Sequence, residues 1–130
     1  MEHTLHYDGN KKGISWAITT NNITKSQFRN HADIYLDKVT DQQSKYIALH
    51  VGIFWSIGTF IIRNNDTIKV MSDSNSIIEH LTGSNITNDV FLERRKGFIN
   101  QLIAQRNLKV IFEKNNNQIN PASEILNMNT

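Results

Sequence analysis

The sequence has no cysteine, so neither disulfides nor thiolate metal sites can form. It has one proline, Pro121, and no internal repeat or linker-like stretch. Nothing therefore divides its 130 residues, which make one domain, 1–130, with enough chain for a real core. A long apolar run is also missing. The most apolar segment, Tyr46 to Ile62, is broken by His50, Gly52, Ser56 and Gly58 and falls short of the ~20 residues of a membrane span. The start, Met1-Glu2-His3-Thr4, carries neither the basic residues nor the apolar stretch of a secretory signal. The expectation is a cytoplasmic monomer with no membrane partner, and the sequons at Asn22, Asn65 and Asn85 are read as chance in an Asn-rich chain. Strong charge of either sign is absent too. Fourteen Lys and Arg against twelve Asp and Glu leave +2 and a pI near 9.0, compatible with a polyanion partner but too mild to argue for one.

What is present is a pattern of short alternating stretches followed by helical ones. Leu5 and Tyr7 alternate with Thr4 and His6, which predicts a strand over His3–Asp8. A Gly- and Asn-rich turn follows, and then Ile14, Trp16 and Ile18 give a second, antiparallel strand. Asn21-Asn22 closes a tight turn into a polar edge strand from Ile23 towards Arg29. His31 to Val39 is part extension and part loop. From Thr40 to about Phe60 the spacing predicts a helix, apolar nearly all round and so wedged between the sheet and another helix. Ile68 and Val70 mark a buried strand, and Ile77, Ile78 and Leu81 a short helix, stopped at Thr82-Gly83-Ser84-Asn85. A helix over about Asn88–Arg106 carries a stripe of Phe91, Phe98 and Leu102 beside Leu92, Ile99 and Ile103. Leu108 to Glu113 is a last strand, 115–120 a loop, and Pro121 opens a C-terminal helix. The order β-β-β-α-β-α-α-β-α implies an α/β domain with a mixed sheet.

Two carboxylates punctuate this pattern. Asp8 ends the first strand, and Asp73 ends the strand after the central helix. If those strands are parallel neighbours, both reach the rim at their carboxyl ends, where open α/β sheets bind ligands. Paired carboxylates need a cation or a shared proton. Without cysteine, hard oxygen ligands point to Mg²⁺ or Mn²⁺ and to phosphoryl-transfer chemistry. The plainer reading is that Asp8 serves its turn and Asp73 caps its helix.

The motifs, taken in order, resemble the ribonuclease H family over nearly the whole chain. Tyr7-Asp8-Gly9-Asn10 is similar to its first-strand motif, and Gly13-Ile-Ser-Trp-Ala-Ile18 to its second strand. Thr40-Asp-Gln-Gln-Ser-Lys-Tyr-Ile-Ala-Leu49 resembles the start of its central helix. Ser72-Asp73-Ser74-Asn75 with Leu81 and Asn120-Pro-Ala-Ser-Glu124-Ile-Leu126 resemble its third and fourth carboxylate segments. The resemblance implies a five-stranded sheet of order 3-2-1-4-5 with helices on both faces. It also implies cleavage of the RNA strand of RNA/DNA hybrids by metal ions held on four carboxylates.

Carried over residue by residue, the metal ligands are Asp8, Asp73 and Glu124, the last after a loop one residue longer than usual. The remaining ligand of the family is a Glu on the central helix, and here that position is Lys45. At ~4 Å and an effective dielectric near 20, one charge pair is worth about 4 kcal/mol before desolvation. An ammonium among these carboxylates therefore competes with a divalent ion, unless Lys45 instead reaches out to solvent. Thr40 matches a position that holds a DNA phosphate. Asp41 and Gln42 match minor-groove contacts, with an anion in place of an amide at Asp41, and Asn10 and Asn75 are further nucleic-acid candidates. For all of these, capping or turn chemistry is the plainer role. The histidines show no metal-ligand spacing, and Arg94, Arg95 and Lys96 form either a phosphate-facing patch or a solvated helix face. Three functions follow: a hybrid-binding protein with a degenerate centre and weak or lost hydrolysis, an active Mg- or Mn-dependent ribonuclease H, or a partner-binding domain that keeps only the fold.

Overall fold

The computed structural model describes residues 1–83, 85–116 and 118–130. Ser84 of the expected helix stop and Asn117 of the expected 115–120 loop lie outside the described residues. The strands are β1 (Glu2–Gly9), β2 (Gly13–Thr20), β3 (Ile23–Asn30), β4 (Thr67–Ser72) and β5 (Lys109–Lys114). The helices are α1 (Asp41–Gly58), α2 (Asn75–Thr82), α3 (Val90–Gln105) and α4 (Pro121–Asn129). The sheet runs β3-β2-β1-β4-β5, antiparallel through the first three strands and parallel from β1 to β4 to β5. This is the order the resemblance implied. Asn21 and Asn22 both take left-handed backbone (φ 52° and 66°), the conformation a two-residue hairpin turn requires.

Alternation sorts each strand onto two faces. Leu5 and Tyr7 of β1 and Trp16 of β2 belong to the core under α1, whereas Ser15 and Asp8 turn to α4 on the other side. Helices therefore cover both faces. Leu49 and Ile53 of α1 and Trp16 beneath them are fully excluded from water, worth about 2 kcal/mol per side chain. Helix and sheet come close at Gly52, where an added Cβ would lie 3.1 Å from the Trp16 Cβ.

Three expectations need correction. Segment 31–39 holds no strand, and residues 33–38 are turns, closed by Tyr35 and Leu36 N–H bonds to the Ala32 carbonyl. α1 is not covered all round: Phe54 is 64% exposed, and Phe60 lies beyond the helix at 78%, because α3 shields only one flank of α1. In α3 the buried positions are Leu92 and Ile99, while Phe98, expected in the stripe, sits at the open edge, 45% exposed.

Candidate functional site

The parallel register of β1 and β4 runs from Glu2↔Thr67 to His6↔Met71. Extending it carries Asp8 level with Asp73 as the two strands leave the sheet. The topology thus brings both aspartates to one rim. The first turn of α1 joins them there because β1 ends in glycine. A Cβ on Gly9 would lie 2.7 Å from the Ser44 backbone, so only a residue without a side chain lets the strand end press against the helix. His31 fixes this approach, its Nε2 lying 2.8 Å from the Ser44 Oγ and 3.0 Å from the Asn10 carbonyl. Burial holds the His31 ring below its ordinary pKa, against the pull of that carbonyl.

The residue after Ser44 is Lys45. Its Nζ lies 3.1 Å from Asp8 Oδ1 and donates to the Gly9 carbonyl at 3.4 Å. The same Oδ1 accepts the Gly9 N–H at 2.8 Å, and Oδ2 accepts the Ser123 hydroxyl from α4 at 2.5 Å. Both oxygens of Asp8 therefore hold protein donors, one of them an ammonium. The ion pair is mostly sheltered, with the Lys45 and Asp8 side chains 29% and 15% exposed.

Asp73 is held differently. It does not cap α2, since Ser74 does so, its Oγ accepting the Ile77 N–H at 3.3 Å. The carboxylate turns instead to two amides. Asn115 Nδ2 donates to Oδ1 at 3.0 Å and Asn120 Nδ2 to Oδ2 at 2.7 Å. Asn120 Nδ2 also reaches the Tyr7 carbonyl at 3.2 Å, tying the end of β1 to Asp73, and Lys114 Nζ donates to the Asp73 carbonyl at 2.5 Å. Asn115 Oδ1 is buried without a hydrogen-bond partner among the described residues. His6, on β1 two residues before Asp8, is held below its ordinary pKa by burial although the Asp73 charge pulls the other way.

Glu124 lies in the first turn of α4, exposed, and its carboxylate makes no hydrogen bond or ion pair among the described residues. Asp8, Asp73 and Glu124 share one end of the sheet, and among the described residues no group of three His, Asp or Glu side chains that could hold a metal ion is found. The other candidates line the same end. Thr40 is the N-cap of α1 in a full capping box, its Oγ1 accepting the Gln43 N–H at 3.0 Å. Asn10 closes the β1–β2 turn through Oδ1, and Asp41 and Asn75 are exposed. Gln42 Nε2 reaches Ser76 Oγ at 3.3 Å.

Sequence reasoning missed Asn115, Asn120 and Ser123. The signal for Asn120 was an Asn directly before Pro121, an N-cap pattern, and it does cap α4. Nothing local marks Ser123 or Asn115, whose partners lie 115 and 42 residues away.

No protein-family model matches the sequence, and no curated protein matches it. Solved structures do. The chain is similar to ribonuclease H1 of the halophilic archaeon Halobacterium salinarum, with 17% identity over 96% of this chain and 90% of that one, at a TM-score of 0.67. It is similar to the N-terminal ribonuclease H domain of a Mycobacterium tuberculosis protein, with 14% identity over 98% and 94%, at 0.68. A third likeness is LC11 ribonuclease H1 solved with an RNA/DNA hybrid, with 15% identity over 95% and 91%, at 0.64. At these identities it is the architecture that is shared, a mixed five-stranded sheet in the order 3-2-1-4-5 with four helices.

Proposed function

We propose that this chain, whose fold is ribonuclease H-like, binds RNA/DNA hybrids or a related nucleic acid across the rim, and that its carboxylate centre is degenerate, with weak or lost hydrolysis. The observation that carries the reading is the Lys45 ammonium 3.1 Å from Asp8. A similar fold solved with an RNA/DNA hybrid supports the nucleic-acid partner.

Mg²⁺ or Mn²⁺ held on Asp8 would not suit this donor set. Such ions need deprotonated oxygen ligands that are free to coordinate and carry local charge to be offset. Here one oxygen of Asp8 already has a cation and the other a hydroxyl hydrogen. A divalent ion beside Asp8 would also meet the repulsion of the ammonium. In this reading Lys45 supplies internally the positive charge that the rim needs beside a phosphate backbone. Asn115, Asn120 and Ser123 hold the two aspartates in place. Thr40, Gln42, Asn10 and Asn75 offer hydroxyl and amide contacts to the strands, and Asp41 opposes them with an anion.

A second reading is favoured by the exposure of Asp73 and Glu124. It is an active Mg- or Mn-dependent enzyme using those two residues with Asp8.

The deciding experiment incubates the protein with a labelled hybrid, with Mg²⁺, with Mn²⁺ and with chelator, and follows cleavage and binding together. The proposal expects salt-sensitive binding that survives chelation, with little or no cleavage. Robust metal-dependent cleavage that Asp73→Asn abolishes establishes the second reading instead. Neither binding nor cleavage leaves a partner-binding domain that has kept only the fold.

A further inference from the structure

α1 and α3 lie side by side and run in the same direction. Gln43 meets Asp89 at one end, and His50 meets Arg95 and Phe98 further along. Their shared outer face is a groove that none of the rim chemistry uses. Its wider part, about 440 Å³, lies between Tyr35 and the first turns of α3, and a further hollow of about 350 Å³ continues past His50, Phe54 and Phe98.

Three properties of this groove converge. First, it presents aromatic rings to solvent. Phe54 is 64% exposed and Phe98 45%, and the Phe98 ring is stacked on His50 at 5.9 Å and 20°, which braces it from one side. Its Nδ1 faces the Arg95 guanidinium at 3.0 Å, and burial and that neighbouring charge hold His50 below its ordinary pKa. Second, the groove is basic and carries no carboxylate in its lining. Arg95 is fixed by the Tyr35 hydroxyl at 2.9 Å and by His50 Nδ1 at 3.0 Å, over the faces of Tyr35 and Phe91. Arg94 is exposed and makes no ion pair among the described residues. Third, the groove opens beside the rim. Gln43 Nε2 donates to Asp89 Oδ2 at 3.0 Å, which joins the first turn of α1, next to Thr40 and Gln42, to the N-cap of α3.

Exposed aromatic faces interleaved with guanidinium groups are what single-stranded nucleic acid recognises, because every base has a π-face and every linkage a phosphate. A second copy of this chain fits less well. A two-fold interface on the groove would bring both copies of Arg94 and Arg95 into one contact whose lining holds no carboxylate to pair them. We propose that the α1–α3 groove binds a single-stranded nucleic-acid segment, with bases stacked on Phe54 and Phe98 and a phosphate on Arg94. Where it receives a strand leaving the rim, it rests on the hybrid-binding reading above. The groove itself stands apart from the carboxylates.

The test compares, by fluorescence anisotropy, a blunt RNA/DNA hybrid, the same hybrid with a single-stranded DNA tail, and the tail alone. The tail tightens binding about tenfold, the scale of one or two stacked bases. The Phe54→Ala/Phe98→Ala double variant abolishes that gain, leaving blunt-hybrid affinity and the melting curve unchanged. Arg94→Ala, at an exposed position, lowers the salt slope of tail binding by about one. Binding of the tail alone that the double variant removes, with no binding of the blunt hybrid, upholds the groove and overturns the hybrid reading. No gain from the tail, or a gain that survives the double variant, overturns the groove proposal. So does a dimer in sedimentation that Phe98→Ala dissociates, which assigns the face to a second copy of the chain.

Discussion

The β1–β4 pair carries an acid beside a base at each of its ends, and the two ends are built differently. At the end away from the rim, His3 Nε2 donates to Asp66 Oδ2 at 2.8 Å, and both side chains are sealed, 0% and 9% exposed. The Thr20 hydroxyl meets His3 Nδ1 at 2.5 Å, and the Arg63 N–H meets Asp66 at 2.8 Å. These partners come from strands or from the turn before β4, and the Met1 amino group adds a contact at 3.5 Å to Asp66 Oδ1. At the rim, Lys45 and Asp8 are partly open, and their partners come from α1, β1 and α4. The first pair staples the sheet shut. The second holds charge at a surface that a polyanion can reach. On the proposed reading, electrostatics of similar geometry serve stability at one end and recognition at the other, and burial decides which.

That contrast can be broken by substitution. The largest effect is expected from Asp66→Ala, which leaves buried donors unpaired and costs about 3 kcal/mol in urea unfolding, with hybrid binding unchanged wherever the protein is folded. The same pair sets part of the acid limb. Burial pushes the Asp66 carboxyl up, but the bonds from His3 and the Arg63 N–H outweigh it and hold the group below its ordinary 3.8. A carboxylate with a depressed folded-state pKa gives stability that is present above the unfolded value and lost as pH falls through the folded one. Below about pH 4 the stability of the wild type should therefore fall more steeply than that of Asp66→Asn. At the rim, Lys45→Met should cost about 1 kcal/mol or less. It should nevertheless weaken hybrid binding and lower its salt slope by about one, the reverse of the Asp66 pattern. Smaller again is Ser123→Ala, about 0.5–1 kcal/mol for a single hydroxyl contact, checked in the same urea series.

Much of the fold was legible because local rules and tertiary structure agree. Alternation marked the strands, Asn21-Asn22 marked the hairpin, and Thr40 with Gln43 marked the start of α1. Where they parted, packing decided. Phe98 has the spacing of a core residue, but Leu92 and Ile99 take the buried positions of α3, and Phe98 is left at the edge against His50. Asp73 has the position of a cap, but Ser74 took that role and released the carboxylate to Asn115 and Asn120. Asn115 reaches the rim because β5 pairs with β4, and Asn120 and Ser123 because α4 packs across β1 and β2, pairings that no local pattern encodes. Lys45 stood out only against the resemblance, since a lysine on the first turns of a helix is otherwise unremarked.

On this reading Lys45 occupies the electrostatic place of a divalent ion. Titration calorimetry of Mn²⁺ into the wild type and into Lys45→Glu, at fixed pH and before any nucleic acid is added, tests this directly. The account predicts no saturable heat for the wild type and a saturable site in Lys45→Glu that Asp8→Asn removes. A saturable, Asp8-dependent site already present in the wild type, and unchanged by Lys45→Glu, would contradict it.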